Sequence, residues 1–126
     1  MKSFVPILAA ALLAAPAARA ACSYPQAPDR IPDGNTATKE EMMTAQKAVR
    51  KYNDEINAYV SCIKLEHDES IAKDAASLTE EQKKERERVQ VQKHNAAIDE
   101  LESVAARFNE QVKVFKAKAG KDKDKT

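Results

Sequence analysis

The 126-residue sequence predicts an all-α protein: an antiparallel two-helix hairpin of coiled-coil type, with an extended N-terminal strap held by a disulfide. Three observations predict it. Apolar residues recur at alternating spacings of three and four along two long stretches, which is the mark of a helical seam. Each stretch opens on a Thr-x-x-Glu/Gln start signal. The two cysteines, Cys22 and Cys62, fall one ahead of the first seam and one inside it. Tryptophan is absent and glycine occurs twice, while Ala, Glu, Lys and Gln abound, a helical rather than a sheet composition.

Residues 1–20 read as a secretory signal peptide. Lys2 supplies the positive start, Phe4, Val5, Ile7, Leu8, Leu12 and Leu13 the short apolar core, and Ala18-Arg19-Ala20 the small-x-small cleavage site. The apolar run is too short to span a membrane. The expected address is therefore periplasmic or secreted, where cysteines oxidise. A lipoprotein signal would place an apolar residue three positions before Cys22, and Arg19 stands there instead. Ordinary cleavage before Ala21 leaves Cys22 free to pair. About 106 residues remain, enough for one small domain. Loss of Lys2 and Arg19 leaves 19 basic and 20 acidic side chains. That near-neutral balance argues against nucleic acid as a ligand, since phosphate binding needs a basic excess.

Residues 21–37 form the strap. Pro25, Pro28 and Pro32 favour extended geometry and forbid a continuous helix. Pro32-Asp33-Gly34 is a turn signal, with Pro presetting φ and Gly expected to take a positive φ.

The helical hairpin is expected over residues 38–119. Thr38 and Glu41 make the first capping box, and the seam Met42, Ala45, Val49, Tyr52, Ile56, Tyr59 and Ile63 follows, the helix running to roughly Asp74. Thr79 and Gln82 make the second box, with Glu80 and Glu81 at the positive end of the helix dipole. The second seam is Val91, His94, Ile98, Leu101, Ala105, Phe108, Val112, Phe115 and Ala119, and Gly120 is placed as the residue that ends the helix. Folding the chain at about residue 77 sets Ile63 against Val91, Ile56 against Ile98, Tyr52 against Leu101, Val49 against Ala105, and Ala45 against Phe108. One register satisfies all of these pairs. The lysine-rich tail, residues 120–126, carries no apolar pattern and is expected to be disordered.

Cys22–Cys62 is the parsimonious bridge for a pair of cysteines in an oxidising compartment. Cys62 lies roughly 36 Å along the first helix from Thr38. The strap can reach back roughly 50 Å when extended, so it can turn at Pro32-Asp33-Gly34 and run along that helix. The separation lacks the close Cys-x-x-Cys spacing of a redox-active pair.

Little chemistry is legible. In the paired register His67 and His94 stand roughly 10 Å out of step, too far to share one ion. No nucleophile elbow, phosphate-cradling glycine loop or His-Glu-x-x-His motif occurs, so neither an enzyme nor a cofactor is expected. The charged run from Glu80 to Arg88 reads as a solvated, pair-laced helix face. Asp122 and Asp124 dilute the lysines of the tail, so membrane contact is not expected beyond a weak touch of that tail. The seam of a two-helix hairpin is narrow. Val60, Leu65, Val89, Ala97 and Val104 lie beside it and form the candidate interaction face for a protein partner or for self-association, with Tyr24 and Ile31 of the strap placed to cover one edge.

Cys22 with Pro25 and Pro28, the run Pro32 to Met42, Ala45-Gln46, Tyr52, Tyr59-Val60-Ser61-Cys62 and Ala105 to Asn109 resemble an uncharacterised proteobacterial family of small exported proteins. That resemblance implies an exported helical protein and brings no assigned function. Leu78-Thr79-Glu80-Glu81-Gln82 is similar to the LTxxQ motif of periplasmic stress proteins and helical chaperones, which bind unfolded clients or metals; the motif stands here once. Three readings follow: a non-enzymatic binding or structural module, a metal-binding or metal-sensing envelope protein, and a chaperone-like client binder.

Overall fold

The computed structural model describes residues 21–125; the signal-peptide reading falls on residues 1–20 and lies outside them. Two helices, α1 (Lys39–Asp74) and α2 (Glu80–Lys123), pack side by side as an antiparallel hairpin. Both begin where the capping boxes place them. The Glu41 amide donates to Thr38 Oγ1 at 3.1 Å while the Thr38 amide donates to Glu41 Oε2 at 2.7 Å. At α2 the Gln82 amide donates to Thr79 Oγ1 at 3.2 Å and the Thr79 amide to Gln82 Oε1 at 2.9 Å. Each box satisfies two backbone donors that a helix start would otherwise leave orphaned. Between the helices the Ser77 and Leu78 amides close back onto the Asp74 carbonyl. Arg86 reaches across to Asp74 Oδ2 at 2.9 Å and Ser70 Oγ at 2.6 Å, fastening the turn end of the hairpin.

The strap turns where Pro32-Asp33-Gly34 predicts. Asp33 caps its own turn: its carbonyl accepts from Thr36 and Ala37, and its carboxylate from the Asn35 amide at 2.8 Å. Gly34, however, has no positive φ. Its absent side chain serves a different need. The Gly34 amide donates to Gln111 Oε1 at 2.9 Å, and a Cβ built there would run into the backbone of Gln111 and Phe115. The glycine is required by the close approach of two backbones.

The sequence-based register holds along the hairpin but not around α2. Ala45 and Met42 cluster with Phe108 and Val112; Tyr52 and Ile56 cluster with Ala97, Val104, Ile98 and Leu101. The buried residues of α2 are nonetheless Ala97, Val104 and Phe108, at 0%, 1% and 6% exposure, whereas Val91 is 44% exposed and Ile98, Ala105 and Val112 are half-buried. The helix is turned by roughly 50° relative to a face-to-face pairing of the two seams. The cause is the strap. Ala27 and Ile31 lie against the core made by Tyr52, Ile56, Ala97 and Val104, so α2 packs against two neighbours rather than one. Turning toward both removes more apolar surface from water.

The C-terminal expectation needs correction as well. Gly120 does not end α2: the helix runs on to Lys123, and the Asp124 amide donates to the Gly120 carbonyl. Residues 121–123 of the tail are thus helical. Nothing lies within 4 Å of a Cβ at Gly120, so the position is an exposed helical glycine.

Candidate functional site

The strap lies in the groove between the helices and is fixed at three places. Cys22 and Cys62 form a disulfide with 5.8 Å between their Cα atoms, and the Cys22 amide donates to Glu66 Oε1 at 3.1 Å. Tyr24 stands edge-on to Tyr59 of α1, ring centroids 4.9 Å apart, and its hydroxyl crosses to Glu100 of α2, donating at 2.7 Å. Gly34 is bonded to Gln111 of α2. The strap therefore grips α1 through the disulfide, an aromatic contact and the Cys22–Glu66 hydrogen bond, and α2 through the hydrogen bonds to Glu100 and Gln111.

Tyr24 leaves 46% of its surface exposed, and its hydroxyl reaches from the α1 side across to α2. Desolvation there, followed by the hydrogen bond to Glu100 and the nearby Tyr52 hydroxyl, holds the Tyr24 phenol well above its usual range. Tyr52 is pushed up too, first by burial and then by the Glu100 charge, with Tyr24 opposing. The Tyr52 hydroxyl is buried without a hydrogen-bond partner of normal geometry, although it is close enough to Tyr24 to couple with it electrostatically.

The five residues proposed from sequence as an interaction face do not share one. Ala97 and Val104 are core, at 0% and 1% exposure, and are not available to a partner. Val60 is half-buried against that same core. Val89, 37% exposed, faces the groove on the strap side. Leu65, 60% exposed, lies on the outer side of α1, about half a turn of the wheel from the buried Ile56 and Ile63. The rotation of α2 accounts for the first two. Positions that stand beside the seam in a two-body pairing become the seam once the strap adds a third layer.

Past the Cys22–Cys62 bridge the groove between the helices continues toward the hairpin turn. There it is lined by Ile63, Glu66, His67 and Ser70 of α1 and by Glu85, Arg86, Val89 and Lys93 of α2, around a volume of about 270 Å³. A larger trough runs along the outer edge of the strap between Tyr24, Pro25, Pro28, Lys51, Glu55 and Tyr59. His67 looks into the inner groove, whereas His94 is half-buried on α2 and takes no part in lining it. Cys22, Cys62 and Glu66 form the one group of metal-capable side chains gathered closely among the described residues, and both sulfurs are bonded to each other.

Sequence reasoning missed Glu100 and Gln111 as strap anchors. Neither differs in type from the many exposed Glu and Gln around it. It also misassigned the stripe Val91, Ile98, Ala105 and Val112. A signal was present: α2 carries two adjacent apolar stripes with a period of seven, one through Ala97 and Val104 and one through Ile98 and Ala105. Two stripes are what a helix with more than one packed side shows.

No protein-family model, curated protein or solved structure matches the chain. Among the described residues no helix is long and apolar enough to cross a membrane.

Proposed function

We propose that this is an exported, non-enzymatic binding or structural module that works by associating along the side of its hairpin. The observation that carries the reading is the inequality of the two sides. One is sealed by a strap fixed covalently at Cys22–Cys62, while the other keeps apolar residues of α2 half-exposed. A disulfide closing the molecule is consistent with an oxidising compartment. The grooves beside the strap open to solvent, and a reaction that develops charge is served best by a site that excludes it. Apolar side chains held in a row on a rigid helix pair are suited instead to helix-on-helix association.

A chaperone-like role draws support from one observation, the groove beyond Cys22. Its apolar floor of Ile63 and Val89, rimmed by charges of both signs, is suited to an extended segment of an unfolded chain. Two experiments separate the readings. Crosslinking in the intact envelope followed by capture of the protein is expected to recover a defined partner or a second copy. Suppression of client aggregation, lost in Val89→Lys and kept in Ile98→Lys, would favour the chaperone reading over the association reading.

A further inference from the structure

Val91, Ile98, Ala105 and Val112 stand seven apart on α2 and so form one stripe along it. The stripe faces away from the strap. Two residues beyond its last three members lie Glu100, which holds Tyr24, and Arg107 and Val114, which border the strap, and two residues is about 200° around a helix. Val91 is 44% exposed, and the other three are half-buried against their own hairpin. Ile98 and Val112 also touch the hairpin core, so what the row offers is the outer half of its apolar surface, and burying that half is a driving force for association.

The stripe is its own complement. Turn a second α2 end for end about the midpoint between Leu101 and Glu102. Val91 then meets Val112, and Ile98 meets Ala105, large against small. Immediately outside these pairs, the exposed Glu87 meets the exposed Lys116, and the same ion pair recurs at the other end. This register matches size along the stripe and charge at its two ends, which offset the like-charge approach of the exposed Glu102 to its own copy beside the axis, and the near-neutral chain sets no long-range repulsion against it.

We propose that this stripe is the contact face of a two-fold antiparallel dimer, α2 against the α2 of a second copy, joining two strapped hairpins into a four-helix bundle. The proposal rests on the association reading above and names its partner. In that arrangement the straps lie on the outer sides of the bundle and the stripes are buried along the axis as coiled-coil knobs.

Carbodiimide crosslinking of the disulfide-intact chain, with peptide mass mapping, tests the register, and sedimentation tests the assembly. Glu87 and Lys116 of one chain are about 29 residues apart on a single helix, roughly 43 Å, so an amide between them must join two chains. The expected result is a dimer carrying that amide. Ile98→Lys is expected to raise the dimer dissociation constant by at least about tenfold, with little change in the melting of the monomer. Lys116→Glu is expected to weaken the dimer and Glu87→Lys in the same chain to restore it. A chain that stays monomeric overturns the dimer. If a different protein is then captured from the envelope and Ile98→Lys abolishes the capture, the association reading survives with another occupant; if nothing is captured, both fall. A dimer indifferent to Ile98→Lys, or linked through other residues, overturns the proposed face.

Discussion

Three positions carry consequences that a contact list alone would not rank. Gly34 touches α2 by backbone, so Gly34→Ala must push strap and helix apart. It is expected to cost about 1–3 kcal/mol, as overpacking does, and to make the strap the first site cut in limited proteolysis. Val104 is buried at 1% exposure and Leu101 only partly, so Val104→Ser is expected to lower the melting temperature more than Leu101→Ala, which leaves no polar group in the core. That ranking reverses the one a face-to-face seam implies. The tyrosines make the third case. Their folded-state pKa values lie above the phenol value of 10.0, so the folded protein holds these protons longer than the unfolded chain does. The associated stability is fully present below pH 10 and is lost as pH rises through the folded values. Tyrosinate absorbance is expected to lag behind that of the unfolded chain above pH 10, and Tyr24→Phe to shrink both the lag and the alkaline loss of stability.

At the scale of elements, the helix starts were legible because a capping box is a local device: the four groups that make it lie within four consecutive residues. Thr79→Ala is expected to cost about 1 kcal/mol, read as a shift in thermal melting; Thr38→Ala should do the same while also loosening the end of the strap. Helix ends were less legible. Gly120 is a plausible terminator, but nothing forces its φ positive, and the lysines of the last turn suit the negative end of the dipole, so α2 continues. The longitudinal register was readable from the spacing of apolar residues in two seams. The rotation of α2 was not. It depends on where a segment with no periodicity of its own comes to rest, and Ala27 and Ile31 announce nothing of that in sequence.

For the molecule as a whole, the disulfide decides how the parts depend on one another. It closes a separation of 40 residues, which in the chain-entropy account is worth about 4 kcal/mol. Non-reducing mass analysis of the protein is expected to show both thiols blocked within one chain. Reduction is expected to lower the melting temperature while leaving most of the helicity, since the hairpin retains its own core at Met42, Ala45 and Phe108. The bridge was readable from cysteine count and reach. The anchors Glu100 and Gln111 were not, because an exposed acid or amide acquires a role only when the fold delivers a partner to it. The same holds for the open side of α2: its apolar content was plain in the sequence, but its direction was settled by packing.

The strap also sets an order of events during folding. Its bonds to α2 join residues 76 and 77 positions apart, Tyr24 with Glu100 and Gly34 with Gln111. Neither can form until the chain has doubled back on itself. Because distant closures are entropically slow and helix pairs are fast, the hairpin precedes the strap. The disulfide spans 40 residues and joins the strap to α1 alone, so its closure does not wait for the contacts to α2. Once closed, the bridge ties the strap beside α1 and shortens the search that brings Tyr24 to Glu100, so the oxidised chain is expected to refold faster than the reduced one, as stopped-flow measurement of the two forms checks.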